Sequence, residues 1–204
     1  MKFYNSIGPN PRVVRMFAAE KGMPLETVEV DLMGGENRRD EYKSRNPSGT
    51  TPALELDDGR CIAEIVAICE YLEEKQPEPY LIGRTPEERA ETRMWARRID
   101  LGIVEPMTNG FRAAEGRRLF ENRIKLVSPE AAQELKAIAR IKLMWLDGQM
   151  QGREFVCGDR FTLADVLLFA FLDFGGQVGQ PVPAEAGWVQ SWFDRVKARP
   201  SASA

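Results

Sequence analysis

The sequence predicts an α/β N-terminal domain in the element order βαβ-ββα, followed by an all-α C-terminal helical domain. Three observations carry this. Short apolar runs bounded by turn residues are confined to the first third of the chain. Pro77 and Pro79 stop the chain just after an amphipathic stretch. Beyond them strand signals disappear and long helical periodicities take over. At 204 residues the chain is long enough to bury a good core, as one domain or as two small ones.

The first strand is Lys2-Phe3-Tyr4-Asn5, short, aromatic and ended by polar residues. A helix is expected from Pro11, whose ring suits a first turn, through Val14, Met16, Phe17 and Ala18 to Lys21-Gly22. Residues 25–32 alternate imperfectly and read as a second strand, making a βαβ opening whose simplest form is a right-handed crossover between parallel strands. A short helix is expected over 40–45, a third strand over 51–56, and a fourth over 60–62 across the Asp58-Gly59 hairpin turn. An amphipathic helix over 63–74 follows, carrying Ile65, Ile68, Cys69 and Leu72. This is the thioredoxin-like order. The boundaries follow as a thioredoxin-like domain at 1–77, a linker at 78–85 and an all-helical domain at 86–204.

In the second domain, Thr85-Pro86 caps a long helix through Trp95 and Ile99 that is expected to break at Pro106. Asn109, Gly110 and Gly116 weaken the periodicity of 107–128, and 129–150 reads as a second long helix. Thr162 with Asp165 three positions on has the form of a capping box. The apolar run 166–174 after it belongs to a buried helix. A last helix is expected over 188–198, with fraying over 200–204.

Composition narrows the function. A net charge of −3 leaves no basic footprint for nucleic acid. Three cysteines, Cys61, Cys69 and Cys157, widely spaced and without a CxxC, argue against a disulfide framework and a metal knuckle and fit a reducing compartment. The chain has 0 histidines, which removes His-based zinc sites, Ser-His-Asp triads and Cys-His dyads. No signal pattern is present and no apolar run reaches the roughly 18–20 residues that span a bilayer. The expectation is a cytoplasmic protein with no metal and no membrane or nucleic-acid partner.

The most informative stretch runs from Asn46-Pro47-Ser48-Gly49-Thr50-Thr51-Pro52 through the hairpin to Glu64. It places a proline-held backbone edge on one side, and a carboxylate with a helix N-terminus on the other. That pairing suits a small peptide ligand.

Together with Arg12 and Arg15 on the first helix, the Gly35-Glu36-Asn37-Arg38 loop and the Gly158-to-Asp165 element, this stretch follows the order and approximate spacing of the cytosolic glutathione transferases. The resemblance covers essentially the whole chain. Gly8-Pro9-Asn10-Pro11, the long 32–42 loop and the 54–59 run are most similar to atypical fungal and bacterial members, which lack the usual catalytic Ser, Tyr or Cys.

The resemblance implies an enzyme that conjugates the glutathione thiolate to small hydrophobic electrophiles, a detoxification activity, with glutathione as co-substrate, no further cofactor, and a homodimeric assembly. It implies that Pro52 is cis, that Thr51 grips the cysteinyl part of glutathione through its main chain, and that Glu64 pairs with the γ-glutamyl ammonium. Ile65 stands where Ser or Thr is usual and keeps only its N–H for the γ-glutamyl carboxylate; Thr50 replaces a frequent Gln. Asn37 and Arg38 align with residues that hold the glycine carboxylate. Gly8 falls where many members carry the catalytic Ser. The thiol is therefore expected to be activated by main-chain N–H groups and the helix N-terminus, with Asn10, Ser6 or a water contributing. Ile7, Met107, Phe111 and Arg112 fall on the electrophile side. Two other readings are a non-catalytic binding or interaction protein that kept the fold, and a glutathione-dependent peroxidase.

Overall fold

The computed structural model describes residues 1–204 and divides into two compact units. The first comprises Met1–Ile82 with Arg199–Ala204, and the second Gly83–Ala198.

In the first unit, β1 (Lys2–Asn5), α1 (Pro9–Glu20) and β2 (Glu26–Glu29) form the βαβ opening, with β1 and β2 parallel. A 3-10 turn (Glu36–Arg38) and the short α2 (Asp40–Lys43) lead to β3 (Ala53–Glu55), β4 (Cys61–Ala63) and α3 (Ile65–Lys75). The sheet order is β2-β1-β3-β4, and β3 is antiparallel to both of its neighbours. This is the thioredoxin-like arrangement. Phe3, Val14, Phe17, Leu54, Ile68 and Leu72 are fully buried. They represent β1, α1, β3 and α3, so the helices and the sheet share one core.

Helix α1 starts at Pro9, two residues before the expected Pro11. Both prolines fall among the first positions of the helix, where no intrahelical acceptor awaits an N–H, so neither ring removes a hydrogen bond the helix would have made. Residues 200–204 do not fray. Pro200–Ser203 forms a 3-10 turn with Ser201 and Ala202 buried. Arg199 grips Glu20 through Nε and Nη2 at 2.8 and 2.7 Å, Ser201 donates to the same carboxylate, and Arg12 donates to the Ala202 carbonyl at 2.8 Å.

A buried ion pair closes α3. Lys21, just past the end of α1, sits 2.7 Å from Glu73 and donates to the carbonyls of Gln76, Pro77 and Pro79. Glu73 in turn accepts the N–H groups of Leu81 and Ile82. The charges are fully desolvated, yet their donors and acceptors are matched.

The second unit is entirely helical, apart from two isolated bridges between 155 and 160. Its helices are α4 (Pro86–Ile99), α5 (Glu105–Ala113), α6 (Arg117–Phe120), α7 (Pro129–Gln149), α8 (Leu163–Gln177) and α9 (Gly187–Lys197). The expected break at Pro106 does not occur. A π-helical segment, Asp100–Val104, carries α4 into α5, and Pro106 lies in the first turn of α5. The wider π turn resets the ladder immediately before a residue that has no N–H to give it. No helix is long and apolar enough to cross a membrane.

Helix α8 is buried at every position from Leu163 to Leu172. Asp165, fully buried, organises its start. Its carboxylate accepts the N–H of Thr162 at 2.9 Å, the N–H of Val156 at 2.9 Å and the indole N–H of Trp192 at 2.9 Å. Burial outweighs these donors and pushes its pKa up to about 6.

Two outcomes are expected from these buried groups. Lys21→Met strands Glu73 and three carbonyls, and should lower unfolding free energy by about 3–5 kcal/mol in a urea titration. For Asp165, the folded protein keeps a proton at pH values where the unfolded chain, at its ordinary value of about 4, has already released it. Stability from this group is therefore full below about pH 4, falls as pH rises to about 6 and is flat above. The stability gap between the protein and Asp165→Asn should shrink by about 3 kcal/mol across that window.

Candidate functional site

The sheet register brings the sequence-predicted residues of the first unit to one end of β1, β3 and β4. Tyr4 faces Ala53, and Ala53 faces Ala63. Continuing each strand in this register places Asn5-Ser6, Thr51-Pro52 and Glu64-Ile65 at the same end of the sheet. The Oγ atoms of Ser6 and Thr51 lie 2.5 Å apart across this row.

Thr51 and Pro52 are joined by a cis peptide bond. Neither the N–H nor the C=O of Thr51 takes a hydrogen bond within the fold, although the main chain resumes pairing at Ala53. The segment before it is firmly held. The Thr50 carbonyl accepts from the Tyr42 hydroxyl at 2.6 Å and from Asn46 Nδ2 at 2.8 Å. Asn37 Nδ2 donates to the Gly49 carbonyl at 2.6 Å, and the Thr50 hydroxyl lies 2.6 Å from that of Ser48. Burial pushes the Tyr42 pKa up to about 12, so this phenol stays a donor at any physiological pH. A rigid strap thus presents one unused amide edge.

Glu64 stands opposite as the residue preceding α3, with φ 71° and ψ 129°, the one non-glycine residue at positive φ. Such a backbone costs roughly 1–3 kcal/mol and persists where the surroundings over-determine it. Its side chain is exposed. Helix α3 has no side-chain cap, so the N–H groups of Ile65, Val66 and Ala67 point out of its first turn unpaired. A carboxylate beside three free donors can take an ammonium and a carboxylate together, the two ends of an α-amino acid.

Helix α1 opens at the same loop. Of its first four positions, Gly8, Pro9, Asn10 and Pro11, two are prolines, leaving two main-chain N–H donors and the Asn10 amide. Gly8 has φ 111° and ψ 171°, a region essentially reserved for glycine, and a Cβ there would meet nothing within 4 Å. The backbone, rather than space, keeps a hydroxyl from this position.

Ser6 is buried, and its single proton goes either to the Ile7 carbonyl at 3.2 Å or into the pair with Thr51. Arg38 is exposed, with its guanidinium over Gly35, where a Cβ would come within 2.6 Å of it. With Asn37 Nδ2 engaged, Asn37 turns an acceptor, its Oδ1, into a buried position without a partner.

The electrophile-side residues fall in both units. Ile7 is 69% exposed in the first. In the second, Met107 is buried, Phe111 packs edge-on against Phe174 and Phe120, and Arg112 lies over the Phe120 ring while donating to Asn109. Burial raises the pKa of the Cys69 and Cys157 thiols, which suits packing rather than reactivity.

Sequence reasoning missed Tyr42 and gave Asn46 no role. The turn composition around Pro47 and Gly49 marks the loop, but only the packing of α2 shows which hydroxyl fastens it.

The fold and this row of groups define a thioredoxin-like protein with a following helical unit and a row of unused main-chain groups beside a carboxylate at one end of its sheet. Comparison with known proteins agrees. Residues 7–75 match the glutathione S-transferase N-terminal domain and residues 114–200 the C-terminal domain. Glutathione S-transferase 2 of Saccharomyces cerevisiae is 34% identical, over 95% of this chain and 84% of its own. FtsZ-localized protein A of Caulobacter vibrioides is 30% identical over 95% and 85%. A crystal structure of a glutathione S-transferase domain-containing protein from Marinobacter aquaeolei superposes with a TM-score of 0.92 at 38% identity, covering 98% of this chain and 99% of that one. The chain belongs to the glutathione S-transferase family, and its class of activity is that of a transferase.

The Gly8 geometry yields a test. Gly8→Ser should lower stability by about 1–3 kcal/mol, read as a reduced urea midpoint, because the added Cβ conflicts with the backbone region and not with a neighbour.

Proposed function

We propose that the protein conjugates the glutathione thiolate to small hydrophobic electrophiles. The observation that carries this reading is the unused N–H and C=O of Thr51 beside the cis Pro52, at the same sheet end as Glu64 and the uncapped α3. In the proposed complex the cysteinyl part of glutathione pairs with Thr51 as an added strand would. Glu64 takes the γ-glutamyl ammonium, and the N–H groups of Ile65 and its successors take the carboxylate. Because Asn37 spends its amide on Gly49, the glycine carboxylate falls to Arg38. Thr50 and Asn37 keep the strap in shape.

The sulfur then lies toward the start of α1. An unperturbed thiol has a pKa of about 8.5, and each unit of lowering requires about 1.4 kcal/mol of preference for the anion. We assign that preference to the Gly8 and Asn10 N–H groups, the Asn10 amide, the positive end of α1 and a water. Ser6 supports Thr51 rather than donating to sulfur, since its proton is engaged. Ile7, Met107, Phe111 and Arg112 are proposed for the electrophile side. A cytoplasmic homodimer is proposed with the function.

A second reading, an interaction protein with a decayed site, draws on the absence of a side-chain donor at Gly8 and on the similarity to a relative named for its localisation with FtsZ. Thiolate absorbance against pH separates the two. Conjugation requires bound glutathione to titrate below the free thiol, and Asn10→Ala to raise that value by about one unit. A bound thiol titrating like the free one, or no binding at millimolar glutathione, defeats the enzyme reading.

Glu64→Gly should show stability and affinity moving in opposite directions. Release from positive φ is expected to raise unfolding free energy by about 1 kcal/mol, while glutathione affinity drops by about 10- to 100-fold in calorimetry.

A further inference from the structure

The second unit contains a cleft of about 310 Å³ that is lined by none of the proposed glutathione contacts and shares only Met107 with the proposed electrophile side. Its floor is aliphatic, made of Ile103, Met107, Leu143 and Leu172, all buried. Its ionic lining is of one sign. Lys136 and Arg140, one turn apart on α7, contribute the charges, and no carboxylate lines the cleft. The volume lies at the lower end of the range of small-molecule sites.

The walls hold themselves. Gln180 donates to the Met107 carbonyl at 3.2 Å, fastening the loop after α8 to α5. Gln190 reaches the carbonyls of Val182 and Pro183 at 3.2 and 3.3 Å, fastening the same loop to α9. Two glycines keep the packing close. A Cβ at Gly110 would come within 2.5 Å of the Lys136 stem, and one at Gly175 within 2.9 Å of the Gln180 carbonyl. The cleft is preformed.

Arg140 is available at little cost. Arg140 pairs with Glu185, both more than half exposed, and Lys136 pairs with Glu115 at 2.7 Å. An exposed ion pair such as Arg140–Glu185 contributes little stability, so an incoming anion can share or replace Glu185, while Lys136, its side chain only 15% exposed, adds its charge from within the wall. An apolar floor, cations at the edge and no aromatic ring in the lining select an aliphatic chain with one acidic head over a stacked aromatic anion.

We propose that this cleft binds an aliphatic carboxylate, its chain along Ile103, Leu143 and Leu172 and its head at Lys136 and Arg140. The probe is decanoate, titrated into the full chain by calorimetry, with decanol as the uncharged control. Decanoate should bind below about 1 mM and more tightly than decanol. Ala137→Trp adds bulk from an exposed helical position that lines the cleft, and should weaken decanoate by about tenfold or more without changing the melting temperature. Arg140→Glu, also at an exposed position, reverses one charge without filling space, and should weaken decanoate but leave decanol unchanged. Absence of binding to the wild type at about 1 mM overturns the proposal. So does undiminished decanoate binding by Ala137→Trp or by Arg140→Glu, which would place the ligand elsewhere.

Discussion

The antiparallel register of β3 is the constraint from which the rest of the candidate site follows. With Tyr4 opposite Ala53 and Ala53 opposite Ala63, three chain segments far apart in sequence end together. A slip of one residue would turn Leu54 out of the core and invert every side chain on the strand. Leu54 is fully buried between Phe3 and Ile62, so burial itself enforces the alignment. Pairing stops at Ala53, and Pro52 has no N–H with which to prolong it. The unused amide edge at Thr51 is the direct result.

The remainder of the first unit makes that end rigid. Tyr42 and Asn46 converge on the Thr50 carbonyl, Asn37 holds Gly49, and the Ser6 and Thr51 hydroxyls join the loop after β1 to the strap. Lys21 and Glu73 tie α1 to the end of α3 from the opposite side, and the Glu20 contacts bring the last residues of the chain back onto α1. Preorganised donors need no rearrangement when a ligand charge arrives, and for that reason they act more strongly than equally placed groups in water. The conspicuous strain lies at Glu64, the residue that precedes α3.

A helix N-terminus without a hydroxyl is a weaker device than one with it, and the sequence accentuates this by placing Pro9 and Pro11 in the first turn of α1. What remains is two N–H groups and the Asn10 amide. Gly8 follows from the turn geometry: its backbone region shuts out side chains, so the entry into α1 offers main-chain dipoles and no hydroxyl at this position.

The sequence by itself determined the element order, the proline-held strap, the acid before α3 and the capping residues Thr162 and Asp165, since each depends on local chemistry: turn residues, helical periodicity or a fixed φ. It misplaced what depends on the neighbours of a residue. Pro106 breaks a helix in isolation, yet here a π turn absorbs it. Residues 200–204 look free in sequence, yet Glu20 and Arg12 hold them. The roles of Tyr42, Asn37 and Ser6, and the cleft beside α7, were decided by tertiary structure alone. A hydrogen bond between residues 45 positions apart leaves no periodic trace in the chain, and becomes visible only when the sheet brings its two ends together.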